Sequence, residues 1–174
     1  MKNISNIRSK YISRQLQNIS FVNPDIGTNS YMYYGSLSQI QKDSMIWIGG
    51  GNNLNSLGPV IINSNTVWGL SLPFPSGVQS IGIQANSFLQ QTFYMMAGTY
   101  NLSFSYHTRS GSASNPLIVF LNNINIGAIP TIAVTSWTSY STTFTLNVGG
   151  QVIFKIAGQN VSDSTTAINN IVIS

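Results

Sequence analysis

The chain has 174 residues, of which seven are Lys or Arg and three are Asp, so 6% are charged; it contains no cysteine, and the formal net charge is +4. Ordinary soluble domains carry about 25% charged residues, so this composition excludes long charged helices, coiled coils, charge-driven disorder and most acid/base enzymes. Polarity comes instead from 20 Asn, 10 Gln, 25 Ser and 13 Thr, and the length fits a single domain of about 100–200 residues.

The first 18 residues differ from the rest. Lys2, Arg8, Lys10 and Arg14 occur there without an acid, whereas from residue 15 onward Lys42, Arg109 and Lys155 are balanced by Asp25, Asp43 and Asp163. Ile4, Ile7, Tyr11, Ile12, Leu16 and Ile19 recur at spacings that fit one broad face of a helix. Residues 1–18 are therefore expected to form a basic amphipathic arm, helical or extended. Such an arm is either a solvated terminus or an anchor on an acidic partner surface, its contacts made by Lys2, Arg8, Lys10, Arg14, Ile4, Ile7 and Tyr11. Four charges without a recognition motif do not make a specific nucleic-acid reader. Residues 1–30 lack the apolar stretch of a signal peptide, and no apolar run approaches the ~20 residues of a membrane span.

From residue 19 the chain reads as short strands punctuated by Gly, Pro, Asn and Ser. Strands are predicted at 19–22, 45–48, 59–62, 66–72, 78–84 and 87–96. The clearest is 99–107, where Tyr100, Leu102, Phe104 and Tyr106 face one way and Thr99, Asn101, Ser103 and Ser105 the other. Strict alternation of this kind gives a strand one buried and one wet face. Strands at 116–121 and 124–129 flank Asn122-Asn123, a hairpin signal, and further strands are expected at 137–146, 151–156 and 166–173. The stretch 49–58 lacks the Lys-Ser/Thr ending of a phosphate loop and reads as a surface loop. No 12-residue window past residue 20 holds a helical stripe, so residues 19–174 are expected to be all-β, a two-sheet antiparallel sandwich.

Six segments in order carry a family resemblance. They are Ile-Ser-Phe-Val-Asn-Pro-Asp-Ile at 19–26, Met-Ile-Trp-Ile-Gly-Gly at 45–50, and Gln79 to Gln84. Then come Gln91-Thr-Phe with Ala-Gly-Thr-Tyr-Asn-Leu-Ser-Phe at 97–104, Trp-Thr-Ser-Tyr-Ser-Thr-Thr-Phe-Thr at 137–145, and the closing run from Asp163 to Ile171. This order resembles the galactose-binding-like jelly rolls, a group that includes many carbohydrate-binding modules, cell-wall domains and modules on viral surface proteins. The resemblance implies a jelly-roll β-sandwich over 19–174. Many members hold a structural calcium through carboxylates, but this chain has Val22 and Asn169 at two of the family's acidic positions, which argues against a calcium site. No other cofactor or metal is expected.

Catalysis has little to work with. A glycosidase dyad needs two carboxylates about 5–10 Å apart, and only Asp25, Asp43 and Asp163 are available. His107 is the single histidine and reads first as a strand-end residue bonded to a loop. Binding is easier to support, because a flat aromatic face with an amide or guanidinium beside it suits a sugar ring. Trp47, Trp68, Trp137, Tyr31, Tyr33, Tyr34 and Phe74 are the aromatic candidates. Trp47 and Trp137 lie in strand-like segments and read as core. Trp68 precedes the loop Pro73–Gly77 and, with Phe74, His107 and Arg109, forms the expected glycan-binding set.

Two functional expectations follow. In the first, the protein is a non-catalytic structural or decoration protein of a virus or phage particle. Its sandwich is exposed, and its arm is fixed to other structural proteins in an oligomeric or lattice assembly. In the second it is a carbohydrate-binding module, or an extracellular adhesive or matrix protein, whose partners are surface glycans. A polar β-protein without a readable leader fits a virion or another extracellular assembly.

Overall fold

The computed structural model describes residues 15–64, 66–111, 113–130 and 132–174. Its elements in chain order are β1 (Ser30–Tyr33), α1 (Gln39–Met45), β2 (Ile48–Gly50), β3 (Val60–Asn63), β4 (Ser80–Gln84), β5 (Phe88–Met95) and β6 (Gly98–Thr108). They continue with β7 (Leu117–Leu121), β8 (Ile124–Ile129), β9 (Thr138–Leu146), β10 (Gly150–Gly158) and β11 (Thr165–Ile173). Strands β1-β3-β4-β11-β6-β9 make a six-stranded sheet and β2-β5-β10-β7-β8 a five-stranded one, each antiparallel throughout. The expected two-sheet jelly-roll sandwich is the fold.

Alternation in the sequence decides which side chains fill the space between the sheets. In β6, Leu102 and Phe104 are buried while Thr99 and Asn101 are exposed. Opposite them on β9, Tyr140 stands across from Phe104 and Phe144 across from Tyr100, with ring centroids 4.9 and 5.7 Å apart. Aromatic cross-strand pairs of this kind stabilise a sheet by about 0.2–1 kcal/mol each. The other sheet answers with Leu89, Phe93, Val119, Val152, Phe154 and Ile156, all buried. Asn122 and Asn123 both adopt positive φ, 51° and 65°, the backbone that a two-residue hairpin turn requires.

Three expected strands differ, and two elements were not expected. Residues 45–48 are not a strand: Met45 ends helix α1, and only Ile48 enters β2. Residues 19–22 are not a strand: the Phe21 N–H closes a turn on the Asn18 carbonyl at 3.1 Å. Phe21 then enters the core at φ 54° beside Trp47, 5.8 Å between rings. Residues 66–72 form a short 3-10 turn, Thr66–Trp68, followed by open loop. Gly69 has φ +57° there, and a Cβ on it would come within 2.4 Å of Ser110, so the chain cannot run straight. Finally, β1 was not expected. Only Met32 of this strand turns inward toward the core, so the two tyrosines around it give no recognisable buried face. Helix α1 is seven residues long, too short for a 12-residue window. Its signal is the Ser38–Gln41 capping box, in which each side chain bonds the other's backbone N–H.

The arm residues Lys2, Ile4, Ile7, Arg8, Lys10, Tyr11 and Arg14 lie outside the described residues. Residues 15–18 are described and pack on the sandwich. Gln17 exchanges two hydrogen bonds with the Gln91 side chain, at 2.8 and 3.0 Å, and its carbonyl accepts from Trp47 Nε1 at 3.0 Å.

Candidate functional site

The segment between β3 and β4 crosses the outer face of the six-stranded sheet as a strap. Register explains what it covers. Since Ile61, Ile81 and Ile168 point into the core, their neighbours Val60, Ile62, Ser80, Gly82 and Ala167 point outward, with His107 opposite Ala167. Trp68 packs down on Val60 and Ile62, joined by Tyr33 and Leu70. Farther along, the Ser71 N–H donates to His107 Nε2 at 3.2 Å, and Trp137 Nε1 donates to the Ser71 carbonyl at 2.8 Å. His107 Nδ1 lies 2.6 Å from the Thr108 carbonyl. A nitrogen facing a carbonyl must donate and one facing an N–H must accept, so this is the neutral imidazole with its proton on Nδ1.

At the strap's first turn the side chains form an aromatic shelf. Tyr31, Tyr33 and Trp68 meet edge to face, with centroids 5.6 Å (Tyr31–Trp68), 6.4 Å (Tyr33–Trp68) and 6.1 Å (Tyr31–Tyr33) apart. Trp68 is 2% exposed and Tyr31 43%, so one ring is the support and the other the open surface. The Arg109 guanidinium lies 4.6 Å from the Trp68 ring, and its Nη1 is 3.4 Å from Asp163 Oδ1. The Gln84 amide also donates to Asp163 Oδ1. Around this shelf, Trp68 Nε1, Ser80 Oγ, Gln84 Oε1 and Thr165 Oγ1 are buried and have no hydrogen-bond partner among the described residues.

Burial pushes the Tyr33 hydroxyl above its ordinary value of 10.0, and the negative charge of Asp163 adds to the shift. The neutral phenol is thus the form the fold favours. Its contribution is complete below pH 10 and is lost as pH rises through the raised value. Tyr33→Phe should therefore flatten the alkaline part of the stability curve, measured by urea melts at about pH 9 and 11.

The structure redistributes the roles of the expected glycan-binding set. Arg109 and Trp68 lie together, the guanidinium over the indole. Trp68 is buried, however, and Arg109 covers its ring, so it offers no stacking face. Phe74 is buried 5.7 Å from Trp137, and His107, 1% exposed, is bonded to the strap. Both hold the strap down and neither reaches solvent. Trp47 is core, as expected, while Trp137 is half-buried and braces the strap. The exposed ring is Tyr31, packed on Tyr33 and Trp68, and the Gln84–Asp163 pair beside Arg109 is not part of the expected set. Asp163 opens the closing motif of the chain, and Gln84 ends its Gln79–Gln84 strand; nothing in spacing alone brings the two together.

Calcium takes six to eight oxygen ligands, usually including carboxylates. Here position 22 is an exposed Val, and Asn169 Nδ2 donates to the Gln79 carbonyl at 2.6 Å. Among the described residues no three His, Cys, Asp or Glu side chains lie together. No helix among the described residues is long and apolar enough to cross a membrane.

No protein-family model and no curated protein sequence matches the chain. Solved structures do. A family 61 carbohydrate-binding module in complex with β-1,4-galactotriose matches with TM-score 0.58 at 14% identity, over 93% of this chain and 99% of that one. A family 35 carbohydrate-binding module from an environmental isolate matches with TM-score 0.51 at 13% identity, over 83% and 92%. The CBM22-1 xylan-binding domain from Paenibacillus barcinonensis matches with TM-score 0.52 at 9% identity, over 84% and 93%. The chain thus shares its fold, over 83–93% of its length, with single carbohydrate-binding modules, and identities this low define the fold alone.

Proposed function

We propose that the protein is a non-catalytic carbohydrate-binding module whose ligand seat is the shelf of Tyr31, Tyr33, Arg109 and Asp163 braced on Trp68. The observation that carries this reading is the exposed Tyr31 ring on a buried indole that also carries a guanidinium paired with a carboxylate. The C–H face of a pyranose packs on such a ring, while Arg109 donates to ring hydroxyls and Asp163 accepts from them. The seat is preorganised, so binding orders few side chains. The matched modules direct the first probes to β-1,4-galacto-oligosaccharides and xylan.

A glycan array carrying those sugars with other neutral and acidic glycans tests the proposal. Binding should appear and should weaken at least tenfold in Tyr31→Ala, with the melting curve little changed because Tyr31 is a surface residue. A flat array from folded protein rejects the reading. The particle-decoration function expected from the basic arm draws no support from the fold or the matched structures.

A further inference from the structure

The outer face of the five-stranded sheet lies on the other side of the sandwich from the shelf, and register fixes its chemistry. Val152, Phe154 and Ile156 of β10 point into the core, so Ile153 and Lys155 point outward. β10 is the middle strand, which sets Lys155 at the centre of the face. Gln90 of β5 stands opposite it on one side and Phe120 of β7 on the other. The Lys155 Nζ lies 4.8 Å from the centroid of the Phe120 ring and 5.8 Å from that of Phe88. Lys155 is half-buried, and none of the five strands carries an Asp, a Glu or a second cation. The ion pair among the described residues, Arg109 with Asp163, belongs to the shelf. Two rings attract the ammonium through their quadrupoles, yet they bring no opposite charge.

We propose that this face is a separate seat for acidic sugars, in which a uronate carboxylate pairs with Lys155 while its ring packs on Phe120 and Phe88. The seat shares no residue with the shelf and does not depend on it. Charge decides for an anion, because a neutral partner would cover a half-buried ammonium without compensating it. A second copy docked by the same face would bring two Lys155 side chains together about a two-fold axis. The polar groups decide for a sugar over a peptide. Gln90 and Thr92 share the outward face of β5 with Phe88, and Gln151 shares that of β10 with Lys155, so amide and hydroxyl interrupt the apolar groups. An amide that donates and accepts suits sugar hydroxyls, whereas the centre of a protein interface is depleted of polar and charged groups.

Calorimetric titration of the full chain reads the seat with four probes: tetragalacturonate, its uncharged methyl ester, an alginate tetramer and poly-L-glutamate. At least one of the two uronate oligomers should bind. The ester should bind at least tenfold more weakly than tetragalacturonate wherever the latter binds, and polyglutamate no better than the ester. Lys155→Gln should weaken uronate binding at least tenfold with the melting curve little changed, Lys155→Arg should keep most of it, and Tyr31→Ala should leave it unaltered. Folded protein that binds neither uronate overturns the proposal, and so does Lys155→Gln that binds them as the unaltered protein does. Loss in Tyr31→Ala alone would move the acid to the shelf, overturning this seat while leaving the shelf reading intact. Polyglutamate bound as tightly as the uronates, and released by Lys155→Gln, would assign the face to an acidic peptide instead.

Discussion

Asn115→Ala should lower stability by about 2–4 kcal/mol, because one buried amide bonds four backbone groups from two parts of the fold. Asn115 is fully buried. Its Nδ2 donates to the carbonyls of Ile83 at 3.0 Å and Ala85 at 2.7 Å, at the end of β4. Its Oδ1 accepts from the N–H groups of Gln159 at 3.2 Å and Asn160 at 3.1 Å, just beyond β10, where the Gln159 N–H is shared with the Pro116 carbonyl at 3.0 Å. The same residue's backbone exchanges two bonds with Thr166 Oγ1 on β11, at 3.1 and 2.7 Å. One side chain therefore ties an end of each sheet together. Each buried group left without a partner costs about 1–3 kcal/mol, and partial relaxation and entering water hold the total below the sum. Packing leaves little room for that relaxation, since a Cβ on Gly158 would come within 2.2 Å of the Asn115 amide. Against a typical total of about 5–15 kcal/mol, the variant should be marginally folded. Urea melts decide it: a loss under about 1 kcal/mol would mean that water replaces the amide.

Such a residue marks the boundary of what periodicity reveals. The strand β6 and its partners were legible because burial of one face imposes a period of two on the sequence. The Asn122-Asn123 turn was legible because few residues tolerate its backbone. Asn115 and Gln79 were not, since in a chain with 30 Asn and Gln an amide that clamps the core looks like one that faces water. Gln79 donates to the Pro24 carbonyl at 3.0 Å and accepts from the Ile26 N–H at 3.1 Å, far from it in sequence. The same blindness affected the shelf. The pairing of Trp68 with Arg109 follows from a strap that folds back across a sheet, and a strap has no period. The strand reading of 66–72 failed on this point: its apolar residues are spaced for a loop that buries Trp68 and leaves Val67 and Leu72 at the surface. Tyr31 and Tyr33 were visible as aromatics, but their common face became apparent only once β1 paired with β3.

Arg109→Ala and Trp68→Ala should separate the seat from its support. Arg109 is the only cation on the shelf among the described contacts. Its side chain is 23% exposed, and that of its partner Asp163 is 58% exposed. Pairs this open contribute about 0–1 kcal/mol to stability, and the guanidinium over the indole adds about 0.5–2 kcal/mol, so Arg109→Ala should melt only slightly early. A sugar loses much more. Its hydroxyls lose a charged donor held in place from two sides, and bonds to charged groups contribute about 1.5–3 kcal/mol. Affinity should therefore fall by roughly one to two orders of magnitude, at 1.4 kcal/mol per factor of ten. Lysine should not restore it, because a flexible ammonium keeps neither the planar stack on Trp68 nor the fork of donors. Trp68→Ala removes the floor itself. A buried tryptophan truncated to alanine costs about 3–5 kcal/mol, so this variant should lose stability and binding together, with Tyr31 and Arg109 both unsupported. Calorimetric titration with whichever oligosaccharide the array selects, beside thermal melts, reads both quantities. Should Arg109→Ala bind like the unaltered protein while Trp68→Ala fails, the shelf is a structural patch and the sugar sits elsewhere on the sandwich. Selective loss of binding in Arg109→Ala places the ligand against the guanidinium, where the strap and the β6–β7 loop meet.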